Sequence, residues 1–288
     1  MQKGFKYIMG LSILLLFFTG FALAKESVDN HIYASLLKKH VTNNHVNYDG
    51  FKKDENLLDE YLGILNITNA KLLSKNSRFA YYINAYNAFT IKLVLTKYPG
   101  INSIKEIGSF FSNPWSKKFI LLQGKTISLD HIEHKILRPG FKDPRVHFAI
   151  NCASKSCPRL RNEPYEGETL ENQLDDQASV FINDKKNTFI KGDNLFISKI
   201  FKWFEKDFSG NPLLFIRRYA HKELKEKFDS ANENIKINNF DIIIDDGLHT
   251  FESGIILFEN SFEKLRKDGI YIIEDVKYSY FNNLMKYL

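Results

Sequence analysis

Residues 145–158, RVHFAINCASKSCP, hold one histidine, both cysteines of the chain, two serines and a lysine. A thiolate beside an imidazole is a nucleophile and its base, and a side-chain amide that orients the imidazole completes a hydrolase or transferase site. The candidates are Cys157 or Cys152 as nucleophile, His147 as base, and Asn84 or Asn87 as the orienting group. The same two cysteines, with four residues between them, also suit a local disulfide in an oxidising compartment. Ser154, Lys155, Ser156, Arg159 and Arg161 surround them. Exposed amides with those cations can hold an anion, but a solvated turn accounts for them better.

The register of the segment decides which pairing is available. Read as a strand, Val146, Phe148, Ile150 and Cys152 fall on an apolar face, and Arg145, His147, Ala149 and Asn151 on the other. Cys152 then points away from His147, which favours Cys157 as the partner. The asparagines belong to a helix expected from Ser77 to Tyr98, with Ser77 as N-cap and Pro99-Gly100 as the stop. Asn84 and Asn87 lie three apart and share a face with large apolar residues around them. A buried amide without partners costs about 1–3 kcal/mol. Both therefore either tie the helix to neighbouring backbone or line a polar site.

Periodicity places the other elements. Residues 31–48 read as a helix with Ile32, Leu36, Leu37 and Val41 inward, ended by the turn residues Asn47 to Gly50. Leu57, Leu58, Tyr61, Leu62 and Leu65 mark a second helix. Lys118 to Leu129 reads as a hairpin turning at Gln123-Gly124, with Trp115 before it as a core anchor. A short helix follows from Leu129 to Leu137. It carries His131, Glu133 and His134, but one helical turn supplies too few ligands for a metal alone. Thr169 opens a helix with Leu170, Leu174, Ala178 and Phe181 inward. A second hairpin runs from Thr188 to Ser198, and Ile200 to Phe208 and Leu213 to Lys227 read as helical, with Trp203 packed.

Residues 1–24 have the three parts of a secretory leader. Lys3 and Lys6 form the charged end, Met9 to Phe21 the apolar run, and Ala22-Leu23-Ala24 the cleavage site. The chain is expected to be periplasmic or secreted after cleavage near Ala24, touching a membrane only through the uncleaved leader. With 44% hydrophobic and 26% charged residues in 288, the composition is that of a globular protein. The 25 Phe and 14 Tyr supply a large core. The net charge of +6 falls to +4 without Lys3 and Lys6, and the basic residues are scattered, so a nucleic-acid partner is not expected.

Five blocks, RFAYYINAYNAFTIKLVL, SLDHIEHKIL, KDPRVHFAINCASKSCPRL, LDDQASVFIND and LFISKIFKWFEKDF, in this order and spacing, resemble the domain of unknown function 547. The resemblance spans residues 31 to about 220, with the domain drawn as 31–228. It implies frequent export in bacterial members, and it makes Asn84, Asn87, His147, Cys152, Ser154 and Cys157 the positions to test. It implies no reaction. The Tyr-Asp-Trp strand with which members usually finish is missing.

From residue 239 the character changes. FDIIIDDGLHTFESG and LRKDGIYIIEDV are two apolar runs, each ending in carboxylates, with a helix expected between them. Together they read as one βαβ unit of a parallel sheet. Residues 239–288 resemble the latter half of a Rossmann-type, metal-dependent, S-adenosylmethionine-using sugar O-methyltransferase. That resemblance implies Mg²⁺ on Asp246, Glu274 and Asp275, with His249 as the base. Leu248 stands where that family more often has Ser. No glycine-rich loop precedes the segment and the adenosine-binding strands are absent, so it reads as a fragment that does not bind S-adenosylmethionine.

The fold class expected is α+β: helices around a small, mostly antiparallel sheet, followed by a βαβ piece. The function expected is a binding or structural module of the cell envelope, with an envelope partner or a small molecule as ligand. A Cys/His/Asn thiol enzyme and an inactive methyltransferase remnant are the alternatives.

Overall fold

A computed structural model describes residues 27–108, 113–154, 157–191 and 194–230, together with three short strands at 236–237, 242–245 and 270–273. The expected leader lies outside the described residues. So do Asp246, His249, Glu274 and Asp275.

Helix α4 (Lys75–Leu95) is the axis of the molecule. Ser74, not Ser77, is its N-cap: the Ser74 hydroxyl accepts from the Ser77 amide at 3.1 Å. Almost every residue from Phe79 to Leu95 is buried, as expected of a helix surrounded by other elements. Around it lie α1 (His31–His40), α2 (Tyr48–Lys53) and α3 (Glu55–Ile67). Tyr33 of α1 stacks on Tyr61 of α3 with ring centroids 4.6 Å apart. The hairpin of β3 (Ile120–Leu122) and β4 (Lys125–Ile127) turns at Gln123-Gly124, both at positive φ, as its sequence indicates.

The helix expected over 31–48 is shorter than its pattern suggests. It gives way to a small hairpin of β1 (Val41–Thr42) and β2 (His45–Val46), with Asn43 and Asn44 both in the left-handed region. Asparagine tolerates that conformation, and a two-residue turn with both positions left-handed suits a tight hairpin. Asn47 does not end a helix. It caps the start of α2, accepting from the Gly50 amide.

From Leu129 the chain forms α5 (Leu129–His131), a π-helical turn (Ile132–Leu137) and α6 (Arg138–Phe141). Arg145 to Asn151 is not a strand: Val146–Ala149 is one turn of helix, α7, followed by Ile150 in extended conformation. Among the described residues no strand pairs with it, and β-propensity without a partner strand does not make a sheet. Helix α8 (Leu170–Asn183) follows Thr169 with its expected inward face.

A second aromatic cluster gathers Phe148, Phe181, Phe201, Phe208 and Phe228, all buried. Phe148 of α7 points into it, whereas Val146 and Ala149 belong to the cluster around α4. Strands β5 (Thr188–Lys191) and β6 (Asn194–Ile197) are antiparallel, and β7 (Lys236–Ile237) adds in parallel to β6. Helices α9 (Ile200–Trp203), α10 (Pro212–Tyr219) and α11 (Lys222–Ser230) complete this side. Trp203 is 64% exposed, so it is not the packed residue expected. Strands β8 (Ile242–Asp245) and β9 (Ile270–Ile273) pair in parallel, but the residues between them lie outside those described. The main body is thus α+β, with its strands in separate small antiparallel sheets instead of one.

Candidate functional site

The segment between α7 and α8, residues 150–169, contains neither helix nor strand among its described residues. Its backbone groups must find partners elsewhere. Side-chain amides supply them. Asn87 donates to the Ala149 carbonyl at 3.0 Å and accepts from the Asn151 amide at 2.8 Å. Asn84 repeats the pattern on one residue, donating to the Tyr165 carbonyl at 2.8 Å and accepting from its amide at 2.9 Å. Each asparagine offers the loop a donor and an acceptor, as a neighbouring strand would. Both therefore tie the helix to neighbouring backbone.

Two glutamines of α8 do the same from the other side. Gln173 donates to the Pro164 carbonyl at 2.9 Å and accepts from the Glu166 amide at 2.9 Å. Gln177 donates to the Arg159 carbonyl at 2.5 Å. Asn151 braces the loop from within, donating to the Pro158 carbonyl at 2.7 Å and accepting from the Ala153 amide at 2.9 Å. Gln173 and Gln177 had a legible signal: two amides four apart beside the apolar stripe of a helix.

The two cysteines at the tip are joined as a disulfide, with their Cα atoms 6.1 Å apart. Ser154 sits beside them, its hydroxyl 3.4 Å from the Cys157 sulfur. Trp115 donates its indole N–H to the Cys152 carbonyl at 3.2 Å, so it tethers the loop and is only half buried. Arg161 pairs with Glu163 and Asp176, and Arg159 reaches Asp176 at 3.8 Å, which turns both cations towards carboxylates of the protein. In this oxidised state neither sulfur is a thiolate.

His147 does not face the sulfurs. On α7 its Nε2 meets the Asp207 carboxylate at 2.8 Å, and its ring stacks on Phe204 with centroids 3.9 Å apart. Burial holds the imidazole neutral and lowers its pKa to about 4, against the opposing pull of Asp207. Neutral imidazole with Nε2 protonated still donates to the carboxylate. Arg138 grips Asp207 from the other side with two contacts, at 2.6 and 3.2 Å. Burial alone would raise Asp207, but the hydrogen bonds from Arg138 and His147 outweigh it and hold its pKa below the usual range.

Arg138 also reaches His134 Nδ1 at 3.0 Å. Next to His134, the carboxyl of Glu133 is buried near the Tyr86 hydroxyl, and burial raises its pKa. A polar chain therefore runs from Tyr86 on α4 through Glu133, His134, Arg138 and Asp207 to His147. Both Glu133 and His134 lie in the π turn, Glu133 buried and His134 exposed. Arg138 and Asp207 were not singled out by sequence, because no local pattern announces a pair so far apart in the chain. Among the described residues no group of three or more His, Cys, Asp or Glu is placed to hold a metal. The carboxylates proposed for Mg²⁺, Asp246, Glu274 and Asp275, lie outside those residues, as does His249.

Compared with known families, residues 70–182 match the model described as "Protein of unknown function, DUF547". The matched span takes in α4, the π turn, α7, the whole disulfide loop and nearly all of α8. No curated protein and no solved structure matches the chain.

Proposed function

We propose that this chain, which carries a domain with no established reaction, is an exported cell-envelope binding module that recognises its ligand with the disulfide loop. The observation that carries the reading is the clamping of an irregular segment by buried Asn84, Asn87, Gln173 and Gln177 and by the disulfide. A plain connection between two helices needs no such framework. A loop ordered before it meets its ligand loses little conformational entropy on binding. The paired cysteines and the turning of His147 to Asp207 weigh against thiol catalysis, and the leader-like residues 1–24 favour export. The ligand is an envelope partner or a small molecule.

The test has two parts. Non-reducing mass spectrometry of the exported protein should find the Cys152–Cys157 bond in full yield. A photo-cross-linking residue at Ser154 should then give adducts in the intact envelope that a control at exposed Lys186 does not. Equal labelling at both positions would refute a recognition role for the loop. A folded Cys157→Ala variant that loses a turnover activity would instead establish the thiol enzyme.

For residues 239–288 we hold to a methyltransferase-like fragment. Calorimetry of the full chain with S-adenosylmethionine should register no binding.

A further inference from the structure

From Tyr61 to Leu129 the sequence has a single carboxylate, Glu106, against nine lysines and arginines. Two stretches of this region meet in space. The Gln123 amide at the β3–β4 turn donates to the Asn66 carbonyl at 3.0 Å, and the Gly124 amide reaches the Asn66 side chain at 3.3 Å. The C-terminal end of α3, the turn that follows it and the β3–β4 hairpin therefore form one surface.

That surface carries three large apolar side chains turned outward. Ile67 is 83% exposed, Leu72 56% and Leu121 49%. Leu121 alternates with the buried Ile120 and Leu122, so the hairpin itself turns it away from the core. Lys71, Lys75, Lys117, Lys118 and Lys125, on the same two stretches of chain, are exposed. None of these five pairs with a carboxylate among the described residues. Lys92, on α4, is locked into ion pairs with Glu55 and Asp59 of α3. The nearest carboxylate before Ile67 along α3 is Glu60, two helical turns back.

We infer that this surface, formed by residues 64–78 with residues 113–127, docks on an anionic phospholipid membrane. Aliphatic side chains enter the interface between headgroups and acyl chains, and lysines on flexible stems meet the phosphates. A protein partner fits less well. Protein interfaces favour aromatic residues and arginine and are depleted in lysine, whereas here the apolar groups are aliphatic and the exposed cations are lysines. The surface is distinct from the disulfide loop. It also goes beyond the expectation that the chain meets a membrane only through its leader.

Hydrogen–deuterium exchange on the full chain tests the inference, because it localises contact whatever residues 9–21 do. Vesicles containing 30% phosphatidylglycerol should slow exchange in peptides from 64–78 and 113–127. Pure phosphatidylcholine vesicles should not, and salt at about 0.3 M should remove the effect through screening. In Lys71→Glu/Lys118→Glu/Lys125→Glu, the lipid concentration for half-maximal protection should rise on the order of a hundredfold. In Ile67→Ser/Leu72→Ser/Leu121→Ser, the protection should be lost. Either set keeps the test decisive if the other fails to fold. Absence of protection in these peptides, or equal protection by neutral vesicles, would overturn the proposal. So would protection that appears without lipid as protein concentration rises, which would identify a second copy as the occupant.

Discussion

Asn87 and His147 show how much a single side chain decides here. Asn87 satisfies two backbone groups of a loop that has no strand beside it. Asn87→Ala would leave the Ala149 carbonyl and the Asn151 amide without partners, at a cost of roughly 2–4 kcal/mol. Urea denaturation should read that loss, and Asn87→Asp should recover little of it, because a carboxylate cannot donate to a carbonyl. His147 is buried and neutral, with its pKa lowered from 6.5 to about 4. The unfolded chain binds its proton near pH 6.5, and the native state only near pH 4. The stability owed to the neutral ring is therefore present above pH 6.5 and is lost as pH falls towards 4. The sum is on the order of 3 kcal/mol. Glu133, raised by burial, works in the opposite direction, so wild type should be compared with His147→Gln, in which Glu133 still titrates. The stability gap between them should narrow steadily from pH 6.5 to 4. A constant gap would mean that His147 is protonated in the native state.

At the scale of elements, the fold builds a framework and suspends the irregular segment 150–169 from it. Helices α4 and α8 supply the amides, and Trp115 reaches in from the third side. The far end of the segment is held by close approach. A Cβ on Gly167 would lie 2.8 Å from both the backbone nitrogen and the Cα of Ser77 on α4. Backbone atoms of a buried helix cannot step aside as a side chain would. Gly167→Ala should therefore destabilise by about 1–3 kcal/mol. In hydrogen exchange the excess opening should be confined to the loop and the first turn of α4. A thermal midpoint unchanged by Gly167→Ala would show that the loop end is not pinned.

At the scale of the molecule, the described residues form two clusters of buried side chains, one around α4 and one of phenylalanines, bridged by α7. Phe228 of α11 is fully buried in the second. A chain ended after Ser230 should melt within a few degrees of the full one. A chain ended after Ala220 loses Phe228 and should melt roughly 5–10 °C lower. Calorimetry of the two truncations checks both outcomes. If they melt alike, α11 does not belong to the cooperative unit.

Much of this was legible in the sequence because it is local. Helices α3, α4 and α8 and the hairpin at Gln123-Gly124 follow from periodicity and turn chemistry, which depend on near neighbours. The pairing of Cys152 with Cys157 was open on spacing alone, since four intervening residues allow a bond without requiring it. Other features belong to the tertiary structure. Arg145 to Asn151 reads as a strand, yet a strand exists only with a neighbour to receive its hydrogen bonds, and among the described residues none pairs with it. The strand register that set His147 opposite Cys152 fell with it. Where His147 points was decided by Asp207, sixty residues away, and where Asn84 points by Tyr165, eighty-one residues away. Sequence determined which polar groups would be buried near α4. Only the packing of distant segments decided what they would bond, because a buried polar group takes whichever partner the fold brings within reach.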